Sequence, residues 1–449
     1  MTRRVYIETY GCQMNVADSE LMSGILADSG FATADNERDA DVILINTCAI
    51  REKAEDRIFG RLGWLKPLKM ERPELVLGVT GCMAEHLRDQ LASKTPYVDV
   101  IAGPDAYRRL PALIEQATRD DSAMIDVRLD REELYAGQRS QRARGVSGFV
   151  TIMRGCDKFC TFCIVPYVRG RERSLPPDLV VSEVRELAEQ GFKEVVLLGQ
   201  TVSSYAVDGV SFAELLRRVH AVDGIERVRF TSPYPTDFDD ELLQTLAELP
   251  KIGRHLHLPV QSGSTRVLED MRRQYSAEQF LELALRVRRE MPEFGISTDI
   301  IVGYPGEDEQ DFEKTLELSR TVEFDSAFMF KYSERSMTAA ARKRPDDVPE
   351  AVKSERLSRL IALQNESSRK RHARLVGQHV DVLVDGVNPR DEAQPKGRSS
   401  CFKSTMLDLS SSSRHGAATD GAALALAPGQ LVRARVEGSA THTLFAVPL

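Results

Sequence analysis

Short apolar runs and longer amphipathic stretches alternate along most of the chain. Strand-like runs end at Tyr10 (RVYIETY), at Thr47 (DVILINT) and at Thr80 (LVLGVT). Each is followed by a helix-like stretch, such as REKAEDRIFGRLGWL after the second. Strand–helix–strand alternation predicts an α/β unit with a doubly wound parallel sheet over residues 1–120. Residues 121–145 are charged and lack periodicity, which predicts a linker. From Gly148 the alternation resumes with GFVTIMR, EVVLLG, RVRFT, HLHLPV, ISTDIIVG and SAFMFKY. PPDLVVSEVRELAEQG is one of the intervening helical patterns, with Pro176 or Pro177 suited to its first turn and Gly191 just past its end. Six such units over residues 146–375 predict a partial (β/α)6 barrel whose chemistry sits at the strand C-termini. A charged amphipathic helix from about Glu350 to Leu375 closes it. Over residues 376–449 the rhythm shortens to HVDVLVDG, LVRARVEG and HTLFAVPL between Gly, Pro and Ser, which predicts a small antiparallel β-barrel. The serine-rich LDLSSSSRHGAATDG inside it reads as an irregular loop.

The 449 residues suffice for two or three domains, and 42% hydrophobic with 29% charged residues is the balance of a soluble protein. No apolar run reaches the roughly 18 residues of a membrane span, and MTRRVYIETYGC has no signal-peptide core. The chain is therefore expected in the cytoplasm, away from membranes. Its net charge of −8 excludes a wholesale basic surface, so a nucleic-acid partner would need local Lys and Arg patches.

Seven cysteines change this picture, because six fall into two groups of three. In a reducing compartment such cysteines are more often metal ligands or catalytic thiols than disulfides. Cys156, Cys160 and Cys163 form C-x-x-x-C-x-x-C directly after a predicted strand. Three thiolates on one loop can hold three irons of a 4Fe–4S cluster and leave the fourth open to chelate S-adenosylmethionine. A zinc site would prefer four ligands in paired C-x-x-C elements. Cys12, Cys48 and Cys82 each lie within two residues of a predicted strand end, 36 and then 34 positions apart. Those ends face one crevice in an open parallel sheet, so three adjacent loops could bring three thiolates together, with helix N-termini favouring an anionic cluster. Taken singly, each could equally be a small buried apolar residue. Cys401 stands alone and reads as a structural thiol.

The string MRGCDKFCTFCIVPYVRGRERS resembles the methylthiotransferase family of radical S-adenosylmethionine enzymes, in particular its MiaB-type tRNA-modifying branch. The resemblance extends through TYGCQMN, NTCAIREKAEDRIFGRLG, GCMAE, LLGQTVSSY, LHLPVQSGS and IIVGYPGE to a C-terminal region similar to a TRAM domain. It implies two 4Fe–4S clusters, the one at Cys156, Cys160 and Cys163 generating a radical and an auxiliary one at Cys12, Cys48 and Cys82 supplying or carrying sulfur. It implies two uses of S-adenosylmethionine, as methyl donor and as source of a 5′-deoxyadenosyl radical. The reaction would insert a methylthio group at C2 of N6-isopentenyladenosine beside the anticodon. The inert C2–H bond is why a radical generator is needed, and the base must leave its stack to react. The implied partners are a tRNA anticodon loop and an electron donor such as a flavodoxin or ferredoxin, with the chain a monomer.

The resemblance also nominates cofactor contacts: Phe162 before the last cysteine, Gly199 and Gln200 at the end of the second strand, Gln261 with Ser262 at the end of the fourth, and Asp299 and Gly303 on the fifth. Arg169, Arg171 and Arg173, and the run Arg369, Lys370, Arg371 and Arg374, could meet phosphate or remain solvated. His255 and His257 point the same way on one strand, where packing explains them as well as catalysis does. Two positions depart from the family pattern: Tyr234, where His is common, and Ser336–Met337, where Pro-Gly is usual. TYGCQMN favours the isopentenyladenosine branch; the alternatives are the branch acting on a ribosomal-protein aspartate and a non-enzymatic RNA-binding protein with structural metal sites.

Overall fold

The computed structural model describes residues 2–49, 52–120, 122–410 and 426–449. Strands Arg4–Thr9, Val42–Thr47 and Val76–Gly81 form within one residue of the apolar runs that predict them. They lie side by side in a six-stranded, wholly parallel sheet. Val42–Thr47 is buried at every position, as a central strand covered on both faces must be. One face packs on helices Glu52–Glu71 and Cys82–Lys94, the other on Gln13–Asp28 and Leu110–Arg119. The sheet is doubly wound. Its order reverses beside Arg4–Thr9, which has Ala32–Thr33 on one side and Val42–Thr47 on the other.

The described part of the stretch read as a linker, residues 122–145, is built into this unit. Met124–Asp126 adds the sixth strand beside Val100–Ala102, and the buried Tyr135 stacks on Tyr107 at 5.7 Å. A three-residue strand is too short to show period-two alternation, so the sequence carried no signal for it.

The middle unit contains the six expected strands as two three-stranded parallel sheets: Ser147–Thr151, Glu194–Leu198 and Arg227–Phe230, then His255–His257, Gly295–Val302 and Ser326–Lys331. The parallel bridge Val228–Ile252 starts the passage from one sheet to the next. Their inward and helix-facing side chains form the largest core. Helix Pro177–Glu189 starts on the expected proline, and Gly191 with φ +90° follows its end. Helix Glu350–Ala373 closes the unit.

The C-terminal unit is a closed five-stranded barrel. Four of its pairings are antiparallel, while Ser404–Leu407 runs parallel to Thr443–Pro448. Strand Asp391–Ser399 (DEAQPKGRS) escaped the sequence reading because its residues are polar and include Pro395 and Gly397. Gly397 is needed there: a Cβ would stand 2.1 Å from the Leu383 carbonyl oxygen. Most of the serine-rich stretch lies outside the described residues.

The outer units dock at opposite ends of the middle one. At the strand starts, Arg227 donates to the Arg398 and Asp381 carbonyls at 2.8 and 3.1 Å, and Lys403 pairs with Asp325 at 2.6 Å. At the end where the cysteine loop emerges, Asp18 of the first helix pairs with Arg154 at 3.0 Å and Arg169 at 2.7 Å. Asp105 meets Arg173 there at 3.1 Å. Among the described residues no helix is long and apolar enough to cross a membrane.

Candidate functional site

The sheet topology delivers Cys12, Cys48 and Cys82 from three adjacent strand ends. Cys12 occupies the N-cap of helix Gln13–Asp28, Cys48 follows Val42–Thr47 directly, and Cys82 opens helix Cys82–Lys94. Two glycines let these loops crowd together. Gly11 has φ +133°, and a Cβ on it would lie 2.6 Å from Cys48 Cβ. Gly81 has φ +89°, and a Cβ there would lie 2.6 Å from the Thr47 carbonyl oxygen. Asn15 and Asn46 tie the loops: Cys12 Sγ donates to Asn15 Oδ1 at 3.2 Å, and Asn46 Nδ2 donates to the Asn15 carbonyl at 2.8 Å.

Cys156, Cys160 and Cys163 lie on the loop after strand Met153–Arg154. Cys156 Sγ is 3.1 Å from Thr201 Oγ1, and the buried Cys160 Sγ accepts from Arg273 Nη1 at 3.3 Å. None of the seven cysteines forms a disulfide. Five of the six grouped cysteines line one cavity of about 230 Å³, together with Gly199, Gln200 and Arg169: Cys12, Cys48 and Cys82 from one unit and Cys156 and Cys163 from the other, while Cys160 lies outside the lining.

The thiols differ in their ease of ionisation. The adjacent Cys48 side chain and, against burial, the Arg169 guanidinium bring Cys12 down to about 6. Burial pushes Cys82 up to about 11 in spite of Arg169, and Cys163 up to about 12 with help from Cys160. Burial also raises Cys156, opposed by the Thr201 hydroxyl. Iron bound at these sulfurs would reverse the upward shifts, since thiolates are what metals bind. The donor set suits such a group: three cysteines line the cavity from one unit and two from the other. Two buried polar atoms of the cavity wall, Gln200 Oε1 and Arg169 Nη1, find no partner among the described residues. Gly199 is held against Met153, whose Cγ would be 2.3 Å from a Cβ on it, so this turn can only be backbone.

The other nominated residues sit outside this lining. Phe162 packs on the core cluster of Val267, Met271, Tyr304, Tyr332 and Ala340. Gln261 has φ +71° and exchanges backbone hydrogen bonds with the neighbouring strand: its N–H donates to Asp299 O and its carbonyl accepts from the Ile301 N–H. Asp299 approaches His257 at 3.3 Å, Gly303 packs against Lys353, and Ser262 is buried beside Thr315. His255 stacks on Phe402 at 4.9 Å, and both histidines reach Ser297 Oγ at 2.9 Å.

The arginines behave differently from one another. Arg169 and Arg173 are spent in buried pairs with Asp18 and Asp105, whereas Arg171 is exposed and pairs with Asp157 at 2.6 Å. Lys370, Arg371 and Arg374 pair with Glu366, Asp325 and Glu323, while Arg369 is exposed. Tyr234 is buried, accepts from the Gln274 N–H at 3.0 Å, and lies beneath Lys158 and Arg273 at 4.3 and 4.5 Å from its ring. Met337 Sδ meets His86 Nδ1 at 3.3 Å. Asp18, Asn15, Thr201 and Arg273 contact the cysteines or their partners and were not singled out from the sequence. Asn15 and Thr201 had a nearby signal, standing in TYGCQMN and LLGQTVSSY.

Residues 4–103 match the uncharacterized protein family UPF0004, and residues 150–319 match the Radical SAM superfamily. The tRNA-2-methylthio-N(6)-dimethylallyladenosine synthase of Caldicellulosiruptor saccharolyticus is 46% identical over 86% of this chain and 83% of its own length. The synthase of the same name from Chlorobium luteolum is 45% identical over 98% and 96%. Among solved structures, the radical S-adenosylmethionine methyltransferase TsrM of Kitasatospora setae, with cobalamin and a [4Fe-4S] cluster bound, superposes with a TM-score of 0.56. That match covers 76% of this chain and 77% of TsrM at 16% identity, a likeness of fold. With five of its six grouped cysteines lining one cavity and relatives this similar over most of its length, the chain belongs to the methylthiotransferase family of radical S-adenosylmethionine enzymes, alongside the tRNA-2-methylthio-N(6)-dimethylallyladenosine synthases.

Proposed function

We propose that this chain adds a methylthio group to C2 of N6-isopentenyladenosine beside the anticodon of tRNA, with S-adenosylmethionine as methyl donor and radical source. The observation that carries this reading is that thiols from two separate units face each other across one cavity. A single triad would serve for radical generation alone. Sulfur transfer to an inert carbon also needs a sulfur-holding site within reach of the same substrate atom.

In this reading residues 1–120 hold one 4Fe–4S cluster through Cys12, Cys48 and Cys82, and residues 146–375 hold the other through Cys156, Cys160 and Cys163. The groups bound there supply radical cleavage of S-adenosylmethionine and a transferable sulfur. The chain's own residues position and shield them. Gly199 and Gln200 offer a close backbone approach and an unpaired amide oxygen to the amino-acid end of S-adenosylmethionine. Ile164, Val165 and Val168 give the cavity an apolar wall that keeps water from reactive species. Phe162, Gln261, Asp299 and Gly303 would act from behind, shaping the loops rather than touching the cofactor. Residues 376–449 form the RNA-binding barrel, and the exposed Arg369 is the phosphate contact best placed in the basic run before it. The chain works as a cytoplasmic monomer served by a flavodoxin or ferredoxin.

The test is an anaerobic assay of the reconstituted protein with S-adenosylmethionine and reductant, read by mass spectrometry. Isopentenylated tRNA, unmodified tRNA and the ribosomal-protein target are offered in parallel. A methylthio gain confined to isopentenylated tRNA, and lost with Cys12→Ala or Cys160→Ala, is the expected result. Gain on the protein target would assign the chain to the other branch. Bound clusters without any cleavage of S-adenosylmethionine would leave an RNA-binding protein with structural metal sites.

A further inference from the structure

Arg169 belongs to the middle unit, one residue after the short helix Val165–Val168 that follows Cys163. Its guanidinium nevertheless reaches the N-terminal unit. Nε donates to Cys82 Sγ at 3.1 Å, and Nη2 donates to Asp18 Oδ2 at 2.7 Å. Asp18 is fully buried and receives Arg154 Nη1 on its other oxygen at 3.0 Å, with Tyr107 Oη donating at 3.3 Å. The plane of Arg169 is therefore fixed by a carboxylate that is itself held from two further directions. Nη1, the remaining nitrogen, is buried on the wall of the cavity without a partner among the described residues. A buried guanidinium nitrogen left unpaired is costly, and an electron-rich sulfur beside Cys82 would satisfy it.

We propose that Arg169 is a positioning residue for the cluster of the N-terminal triad: it orients Cys82 from across the unit boundary and raises that cluster's reduction potential. This rests on the reading that Cys12, Cys48 and Cys82 hold a cluster. Reduction adds negative charge, which a fixed guanidinium stabilises, and hydrogen bonds to ligand sulfur act in the same direction. Because the donor comes from the loop that follows Cys163, the electronic state of one triad depends on its docking against the other.

The experiment is a redox titration of the reconstituted full chain, followed by electron paramagnetic resonance, in a Cys160→Ala background so that the N-terminal cluster alone contributes. Arg169→Gln is expected to shift the midpoint to a more negative potential and to change the g-values. Arg169→Lys, which keeps the charge but not the fixed fork, is expected to fall between Gln and the parent. Arg169→Lys also stands as the test if Arg169→Gln fails to assemble. An unchanged midpoint and spectrum in the assembled Arg169 variants would overturn the proposal. A parallel Cys82→Ala form separates the two ideas: if it retains all iron and the full signal, the triad is not the cluster site and the underlying reading fails. If Cys82→Ala loses the signal while the Arg169 variants match the parent, only the present inference fails.

Discussion

At the scale of single residues, Tyr234 shows how a departure from a family pattern is absorbed. Its hydroxyl accepts the Gln274 N–H, and its ring lies under Lys158 and Arg273, the latter also donating to Cys160. The side chain thus supports the cysteine loop from behind. Tyr234→Phe keeps the ring and both cation contacts but leaves the Gln274 N–H unpaired. Gln274 is exposed and the bond only partly buried, so the loss is that of one ordinary hydrogen bond, about 0.5–1.5 kcal/mol, and the variant should melt slightly lower by differential scanning calorimetry. Cleavage of S-adenosylmethionine by the variant should persist at the assay temperature. An unchanged melting temperature would mean that water reaches the Gln274 N–H. The sequence marked Tyr234 only as unusual, because its partners lie at positions 158, 273 and 274, far away along the chain.

At the scale of elements, what could be read in the sequence was what local pattern encodes. The fully buried strands Val42–Thr47 and Val76–Gly81 write apolar runs, the half-buried Arg4–Thr9 an alternation, and these placed Cys12, Cys48 and Cys82 at adjacent strand ends. Gly-Cys at 11–12 and at 81–82 records the crowding of those ends. The link of Arg169 to Asp18 and Cys82 left no local trace, since its partners stand 151 and 87 positions away. Phe162 lies beside Cys163, which lines the cavity, while Phe162 itself packs against the core cluster that includes Tyr304 and Val267. The supposed linker is the clearest case. Gln141 N–H donates to the Glu20 carbonyl at 2.9 Å, and the chain at Arg139 presses on helix Gln13–Asp28 so closely that a Cβ on Gly24 would lie 1.8 Å from the Arg139 carbonyl oxygen. Gly24→Ala should therefore push residues 138–141 away from the helix. Overpacking of this kind typically costs about 1–3 kcal/mol. Hydrogen exchange should quicken at Gln141, and normal protection there would show that the segment is not held by this contact.

At the scale of the whole molecule, the units are joined by buried charge, and this makes their docking sensitive to acid. Asp325, at the start of the last strand of the middle unit, is buried among Lys403 of the small barrel, Arg288, and Arg371 of helix Glu350–Ala373. Burial alone would raise its pKa, but Lys403, Arg288 and Arg371 overcome this and hold it well below the usual carboxylate range. A carboxyl depressed on folding stabilises the folded state fully above its unfolded pKa of about 3.9. That contribution is lost as pH falls from there toward the folded value. Asp325→Asn removes the charge at every pH and leaves three cations facing one another, a loss on the order of 3–5 kcal/mol for a broken buried pair. Near pH 7 the variant should release the C-terminal barrel to limited proteolysis at a lower temperature than the parent. Below about pH 4 the gap should narrow, because the unfolded parent chain then takes up a proton at this carboxyl while the folded one stays ionised. Cluster loss in acid affects both chains alike, so the difference between them is the quantity to read. The absence of any gap at pH 7 would show that the barrel is held by its backbone contacts to Arg227 and Arg229 rather than by Asp325.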